Sequence, residues 1–184
     1  MHYYDLYESP YGRMLLVADE EGVSGVYFDG QKYFPQVASQ WRRDAQHATL
    51  RQAKRELVEY FGGERQRFNV ALAPEGTPFQ RSVWKAISSV GFGETKSYGE
   101  LARRAGCPGS ARAAGAATGR NPIGVIVPCH RIVGSNGSLT GYAGGLDRKR
   151  AHGLDDLAER YGARPRPHTD DEIRRIDHLP NFEG

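Results

Sequence analysis

The sequence predicts two units in series. A small α/β domain spans residues 1–73, a mainly helical domain spans 77–160, and a tail covers 161–184. Three observations carry this reading. Short strand-type runs separated by turn residues fill the first thirty or so positions. Helix-start signals recur at Thr77, Ser97 and Ser110. Between the two patterns, Pro74-Glu75-Gly76 reads as a linker. At 184 residues, with 39% hydrophobic and 26% charged side chains, the chain can bury one medium core or two small ones.

In the first unit, residues 2–9 and 13–18 are strand-like around the turn Ser9-Pro10-Tyr11-Gly12. Residues 23–28 give a third strand, bracketed by Glu21-Gly22 and Asp29-Gly30, so an antiparallel meander is expected. Residues 31–45 lack periodicity and read as loop. Leu50, Ala53, Leu57 and Tyr60-Phe61 recur at helical spacing, and Gly62-Gly63 ends that helix. Residues 68–72 resemble one more strand. The unit offers no reactive motif, and its His2 and His47 read as surface residues.

In the second unit, Thr77 caps a helix with Pro78 at its first position, and Phe79, Val83, Ile87 and Val90 form its apolar face. Ser97 and Glu100 make a capping-box pattern for a second helix ending near Gly106. Cys107-Pro108-Gly109 is a turn, and Ser110 caps a third helix that runs to about Gly119. Two short helices joined by a tight turn make a helix-turn-helix candidate. The third helix carries almost only tiny side chains, Ala111 to Thr118, with Arg112 the exception. Such a helix suits either tight packing inside the protein or close contact with a DNA groove. Asn121-Pro122 breaks it. A strand over 125–127 is then expected to deliver Cys129. Gly134-Ser135-Asn136-Gly137 is a hairpin-type turn. The glycine-rich loop 141–145 is either structural or the lining of a pocket for a flat base.

Charge is unevenly spread. Residues 1–76 hold 9 basic and 11 acidic side chains, 77–157 hold 11 and 5, and 158–184 hold 5 and 6. The basic excess therefore sits in the unit that contains Cys129, as expected for a polyanionic partner. Two cysteines, Cys107 and Cys129, make neither a disulfide framework nor a four-ligand zinc site, and a reducing cytoplasm fits best. No apolar run is long enough to span a bilayer, and no signal-peptide pattern is present.

The stretch that carries chemistry is Val127-Pro128-Cys129-His130-Arg131-Ile132-Val133. An ordinary thiol is mostly protonated at neutral pH, and a neighbouring imidazole can accept its proton. Adjacent residues on an extended chain point to opposite faces, so this pair need not touch directly.

With Asn121-Pro122-Ile123 before it and Gly141-Tyr142-Ala143-Gly144-Gly145-Leu146 after it, the stretch resembles the signature of the DNA alkylguanine alkyltransferases. Phe79 to Trp84 and Tyr98 to Ala102 resemble the family's first helices. The likeness is strong over 77–157 and loose over 1–73. It implies a ribonuclease-H-like N-terminal scaffold and a winged helix-turn-helix-like unit that binds double-stranded DNA containing alkylated bases. It further implies that the helix bearing Ala111 enters the minor groove, that Arg112 fills the gap left by an extruded nucleotide, and that Tyr98 helps rotate that nucleotide out. Cys129 would accept the alkyl group from the exocyclic oxygen of guanine, and alkylated thymine is a further candidate. His130 would act as the base through a water, with Asn121 holding the turn. Asp156 aligns with the family's glutamate, one methylene shorter, and Asp155 or Glu159 are alternatives. Tyr98, Val133, Tyr142 and Ala143 would line the base pocket. The expected transfer is irreversible, with one turnover per monomer and no metal, nucleotide or organic cofactor. The alternative is a non-repairing relative that binds lesions only.

Overall fold

The structure is a computed structural model that describes residues 1–149. Strands β1 (Tyr3–Ser9), β2 (Gly12–Ala18) and β3 (Val23–Phe28) form the expected antiparallel meander. The first turn closes because the Ser9 hydroxyl donates to the Gly12 carbonyl at 2.6 Å, while Gly12 takes a φ of 108° that only glycine adopts freely. A two-residue strand β4 (Arg42–Arg43) adds to β1 in parallel, giving the order β3-β2-β1-β4. It lies inside the segment read as loop. Two arginines carry no hydrophobic alternation, so nothing in the sequence marked them.

Helix α1 (Ala48–Phe61) packs on this sheet through Leu50, Ala53, Leu57 and Tyr60, the spacing read from the sequence. Residues 68–72 are not the strand that was expected. Val23 N–H donates to the Ala71 carbonyl and Ala73 N–H to the Val23 carbonyl, which gives one isolated bridge. The ladder goes no further because the Glu56 carboxylate takes the Asn69 and Val70 amides at 2.8 and 3.2 Å. Pro74, just beyond, has no amide to offer.

Helices α2 (Pro78–Ser88), α3 (Tyr98–Arg104) and α4 (Ala111–Gly119) follow. The first two start with full capping boxes, Thr77 with Gln80 and Ser97 with Glu100. Such a cap stabilises a helix by about 1 kcal/mol. Ser110 does occupy the cap position of α4, but its side chain makes no capping bond. Helix α4 packs on both α2 and α3. Ala114, Ala117 and Thr118 face inward, where small side chains let the Trp84 indole N–H reach the Ala117 carbonyl at 2.8 Å. Arg112, Ala113 and Ala116 face outward.

The residues after α4 seal the two halves together. Val26 on β3 donates to the Pro122 carbonyl, and Gly124 donates back to the Val26 carbonyl. The buried Arg131 guanidinium donates to the Val90 carbonyl at 2.9 Å and to the Tyr60 hydroxyl at 3.4 Å, and lies over the Phe92 ring. Arg148 donates to the Tyr11 carbonyl at 2.9 Å and covers the Phe28 ring. One apolar core therefore runs from the sheet into the helices. Among the described residues no helix is long and apolar enough to cross a membrane.

Candidate active site around Cys129

Residues 125–127 are turns and not the strand that was expected. Two γ-turns follow each other here. Ile126 N–H donates to the Gly124 carbonyl, which sets Val125 at a φ of +69°. Cys129 N–H donates to the Val127 carbonyl across Pro128, whose φ of −80° and ψ of 63° are those of an inverse γ-turn. Proline suits that second turn because its ring fixes φ near this value. Cys129, His130 and Arg131 then form one turn of 3-10 helix, all buried. The chain leaves through β6 (Ile132–Val133), which pairs in parallel with β5 (Lys96–Ser97). The glycine turn at 134–137 is closed by Gly134 and Gly137 amides, yet β6 pairs with β5 and not across that turn.

Asn121 organises the loop. Its Nδ2 donates to the Val127 carbonyl at 2.9 Å, to the Cys129 Sγ at 3.2 Å and, more weakly, to the Ile123 carbonyl at 3.4 Å. Its Oδ1 accepts from the Ile123 amide at 3.0 Å. Burial pushes the Cys129 thiol above its ordinary value. The Asn121 bond, the Lys149 charge and the amides of Cys129 and His130 act the other way.

Lys149 was not singled out from the sequence. It is fully buried, and its ammonium donates to the Thr140 carbonyl at 2.7 Å. Tyr98 donates to the same carbonyl at 2.9 Å, and Lys149 Nζ lies 5.9 Å from the Tyr98 ring. Burial lowers the Lys149 pKa to about 8, against an opposing pull from Cys129. A signal was present: a lysine in the turn after a glycine-rich loop. Its burial depends on a loop path that local pattern does not give.

Tyr98 stands at the start of α3, between α4 and the loop that follows the glycine turn. A side chain at Gly115 would come within 3.5 Å of its ring, and one at Gly141 within 3.9 Å of its hydroxyl. Burial raises the Tyr98 pKa, so the phenol keeps its proton at neutral pH. Val133 is buried beside Ser97 through the β5–β6 pairing. Tyr142 and Ala143 are half-buried, and Tyr142 packs against Gly144, where an added Cβ would meet its ring at 2.8 Å. Ala111 is half-buried at the first position of α4, next to the exposed Arg112. The structure thus brings Cys129, Asn121, Tyr98 and Lys149 together and buries His130 beside them. Asp156, Asp155 and Glu159 lie outside the described residues, as does the tail.

Comparison with known proteins matches two family models in tandem. Residues 2–74 match the 6-O-methylguanine DNA methyltransferase, ribonuclease-like domain, and residues 78–153 match the 6-O-methylguanine DNA methyltransferase, DNA binding domain. The chain belongs to the 6-O-methylguanine DNA methyltransferase family. The methylated-DNA–protein-cysteine methyltransferase of Methanosarcina acetivorans is 50% identical to it over 147 residues, 80% of this chain and 93% of that one. The Mycobacterium tuberculosis protein of the same name is 44% identical over 151 residues, 82% of this chain and 90% of that one. The crystal structure of Mycobacterium tuberculosis OGT in complex with DNA superposes with a TM-score of 0.80 at 38% identity, covering 94% of this chain and 99% of that one. The methyltransferase fold of an N-terminal sheet domain and a helical DNA-binding domain is therefore that of this chain.

Proposed function

We propose that this chain is a methylated-DNA–protein-cysteine methyltransferase that repairs alkylated guanine in duplex DNA by moving the alkyl group onto Cys129. The observation that carries the reading is the Cys129 sulfur, buried in a hydrogen-bonded loop within the electrostatic reach of a buried lysine.

The exocyclic oxygen of guanine is poorly reached inside a stacked duplex, so the nucleotide is flipped out. Helices α3 and α4 serve as the helix-turn-helix of a winged unit. Arg112 and Ala111 face the duplex, and Tyr98 turns the phosphate and sugar of the damaged nucleotide. The base enters beside Val133, Tyr142 and Ala143. Cys129 gives its proton to His130 through a water, with the acid at Asp156 orienting the imidazole. The sulfur then attacks the alkyl carbon. The carbon–oxygen bond breaks as the sulfur–carbon bond forms, and the electron pair goes to guanine. Tyr98, kept protonated by burial, donates a hydrogen bond to a ring nitrogen and so stabilises the leaving base. Asn121 and Lys149 favour the thiolate before attack. The product is a thioether, which nothing in this arrangement reverses, so each molecule acts once.

The N-terminal unit at 1–73 serves as a ribonuclease-H-like scaffold, the unit at 77–160 does the chemistry, and the cytoplasm is the compartment. Incubation with a duplex carrying one alkylguanine, followed by intact mass and peptide mapping, tests this. One alkyl group per chain on Cys129, absent in Cys129→Ser, is the expected result. An intact lesion with an unmodified thiol overturns it. A lesion-binding protein without repair would hold the same duplex and gain no mass.

A further inference from the structure

The loop after β3 touches both the glycine-rich loop and the end of α4. Lys32 N–H donates to the Ala143 carbonyl at 3.2 Å, which ties this loop to the proposed pocket rim. Next to it, Tyr33 is half exposed at 47% and holds a φ of +62°. The Arg120 guanidinium lies 4.5 Å from the centre of its ring, and the Lys32 ammonium 5.2 Å. Arg120 closes α4 and stands four residues beyond Ala116, which stands four beyond Arg112. All three are exposed, and their spacing sets them along one side of the helix and its cap.

A left-handed φ costs a bulky residue about 1–2 kcal/mol, where glycine or asparagine would sit with little penalty. Here that cost leaves a large ring half exposed against two cations and outside the apolar core, so burial of the ring does not explain it. The loop is nevertheless well held. Phe34 meets Tyr27 edge to face, and the Gln31 side chain accepts from the Phe28 amide at 2.8 Å. Neither Lys32 nor Arg120 has an acidic partner among the described residues. A half-exposed ring held by two cations that lack acidic partners fits a nucleic-acid strand, whose phosphates take the cations and whose sugar or base face takes the open side of the ring.

We propose that Lys32, Tyr33 and Arg120 form a second DNA contact, on the N-terminal side of the pocket rim, which grips the strand flanking the extruded nucleotide. This rests on the DNA-repair reading above. It makes the N-terminal domain part of the DNA-binding surface, continuous with the outward face of α4.

The test compares two substrates and one binding measurement. Wild type, Tyr33→Gly, Tyr33→Phe and Arg120→Ala are reacted with an alkylguanine duplex and with the free alkylguanine base, and their affinity for an unmodified duplex is measured over a range of salt. Glycine suits the backbone at 33, so this variant removes the ring without adding strain. Tyr33→Gly should slow reaction with the duplex about tenfold, the size of one lost aromatic–nucleotide contact. Its reaction with the free base should be unchanged, and Tyr33→Phe should restore the duplex rate. Arg120→Ala should lower the slope of log affinity against log salt by about 1. An equal loss on both substrates would overturn the proposal, because the loop would then act through the pocket. Unchanged duplex rate, affinity and salt slope would overturn it too. If wild type transfers nothing while Tyr33→Gly still weakens duplex binding, the contact stands and the repair reading falls.

Discussion

Glu56 and Cys129 are both buried groups that can carry charge, and their surroundings treat them in opposite ways. Burial alone would raise the Glu56 carboxyl. It is instead held below the usual carboxylate range by the Gln52 side chain, the Asn69 and Val70 amides and the nearby Arg65. Cys129 has the same kinds of helper, one side-chain donor, two backbone amides and one cation, yet there burial prevails, so the thiol is raised, while Lys149 beside it is lowered to about 8. At Glu56 the helpers outweigh burial, and the carboxylate charge is stable. At the proposed reaction centre the charge is left costly, and alkylation of the sulfur removes it by turning a thiolate into a neutral thioether. The N-terminal half thus uses its buried carboxylate to join 69–70 to α1, and the helical half keeps a thiol and an amine whose charges burial disfavours side by side.

The largest effect that would break this contrast comes from Asn121. Its amide serves three backbone groups, the Ile123 carbonyl and amide and the Val127 carbonyl, as well as the sulfur, all buried. Removal leaves several polar groups without partners at about 1–3 kcal/mol each. Asn121→Ala should therefore lower unfolding free energy by roughly 3–5 kcal/mol in urea titration. It should also raise the Cys129 thiol further, seen as slower alkylation by a small thiol reagent at fixed pH. A loss under about 1 kcal/mol would mean that the γ-turns hold the loop unaided.

The contrast is sharpened by pH. Glu56 has a folded pKa below its unfolded value, so its contribution is present above about pH 4.3 and is lost as pH falls through the folded value. Lys149 behaves otherwise. Its folded pKa of about 8 lies below the ordinary 10.5, so the folded state holds its proton less tightly than the unfolded state. Stability should rise as pH climbs from about 8 to 10.5. Glu56→Gln should then be less stable than wild type at pH 7, and the gap should close in acid. Lys149→Met should be more stable at pH 7 by roughly 1–3 kcal/mol, with the gap closing in alkali. The same variant removes a cation from the thiolate, so the rate–pH midpoint for transfer should move upward, about tenfold in rate at pH 7 for each unit. Thermal melts and single-turnover rates across pH check both. Lower stability of Lys149→Met at pH 7 would make the lysine a structural bond and not a held charge.

What the sequence made legible follows from how local the causes are. The meander, α1 and the starts of α2 and α3 are written in alternation, helical spacing and caps, each within a few residues. The missed features depend on distant partners. Residues 68–72 look like a strand, but a carboxylate on α1 takes their amides. Residues 125–127 look like a strand because valine and isoleucine favour one, yet Asn121 and the pairing of Val26 with 122–124 bend them into turns. Arg42–Arg43 joins the sheet only because β1 offers an open edge. In the proposed site, Cys129 stood out by its motif, while Asn121 before proline read as a turn former and gained its place in the site from the family resemblance. Lys149 and Tyr33 were not legible, since burial of the one and exposure of the other are set by loops that meet across the domain boundary.

The smallest effect is the most specific to the reactive loop. Val125 and Val127 are both buried, two residues apart, and differ in that Val125 carries the positive φ of 69°. A β-branched residue in that region is a true outlier, at a cost of about 1–3 kcal/mol. Replacing either by glycine forfeits the burial of a valine, about 1.5–3 kcal/mol. At either position the freedom of glycine in the unfolded chain adds roughly another 1 kcal/mol of loss. At Val125 alone, relief of strain returns about 1–3 kcal/mol of that loss. Val125→Gly should cost about 2 kcal/mol less than Val127→Gly by denaturant midpoint. Equal costs would show that the Val125 turn is relaxed. In that case the Val125 turn stores no strain, and Cys129 is held in place by the Asn121 bonds and the turn across Pro128.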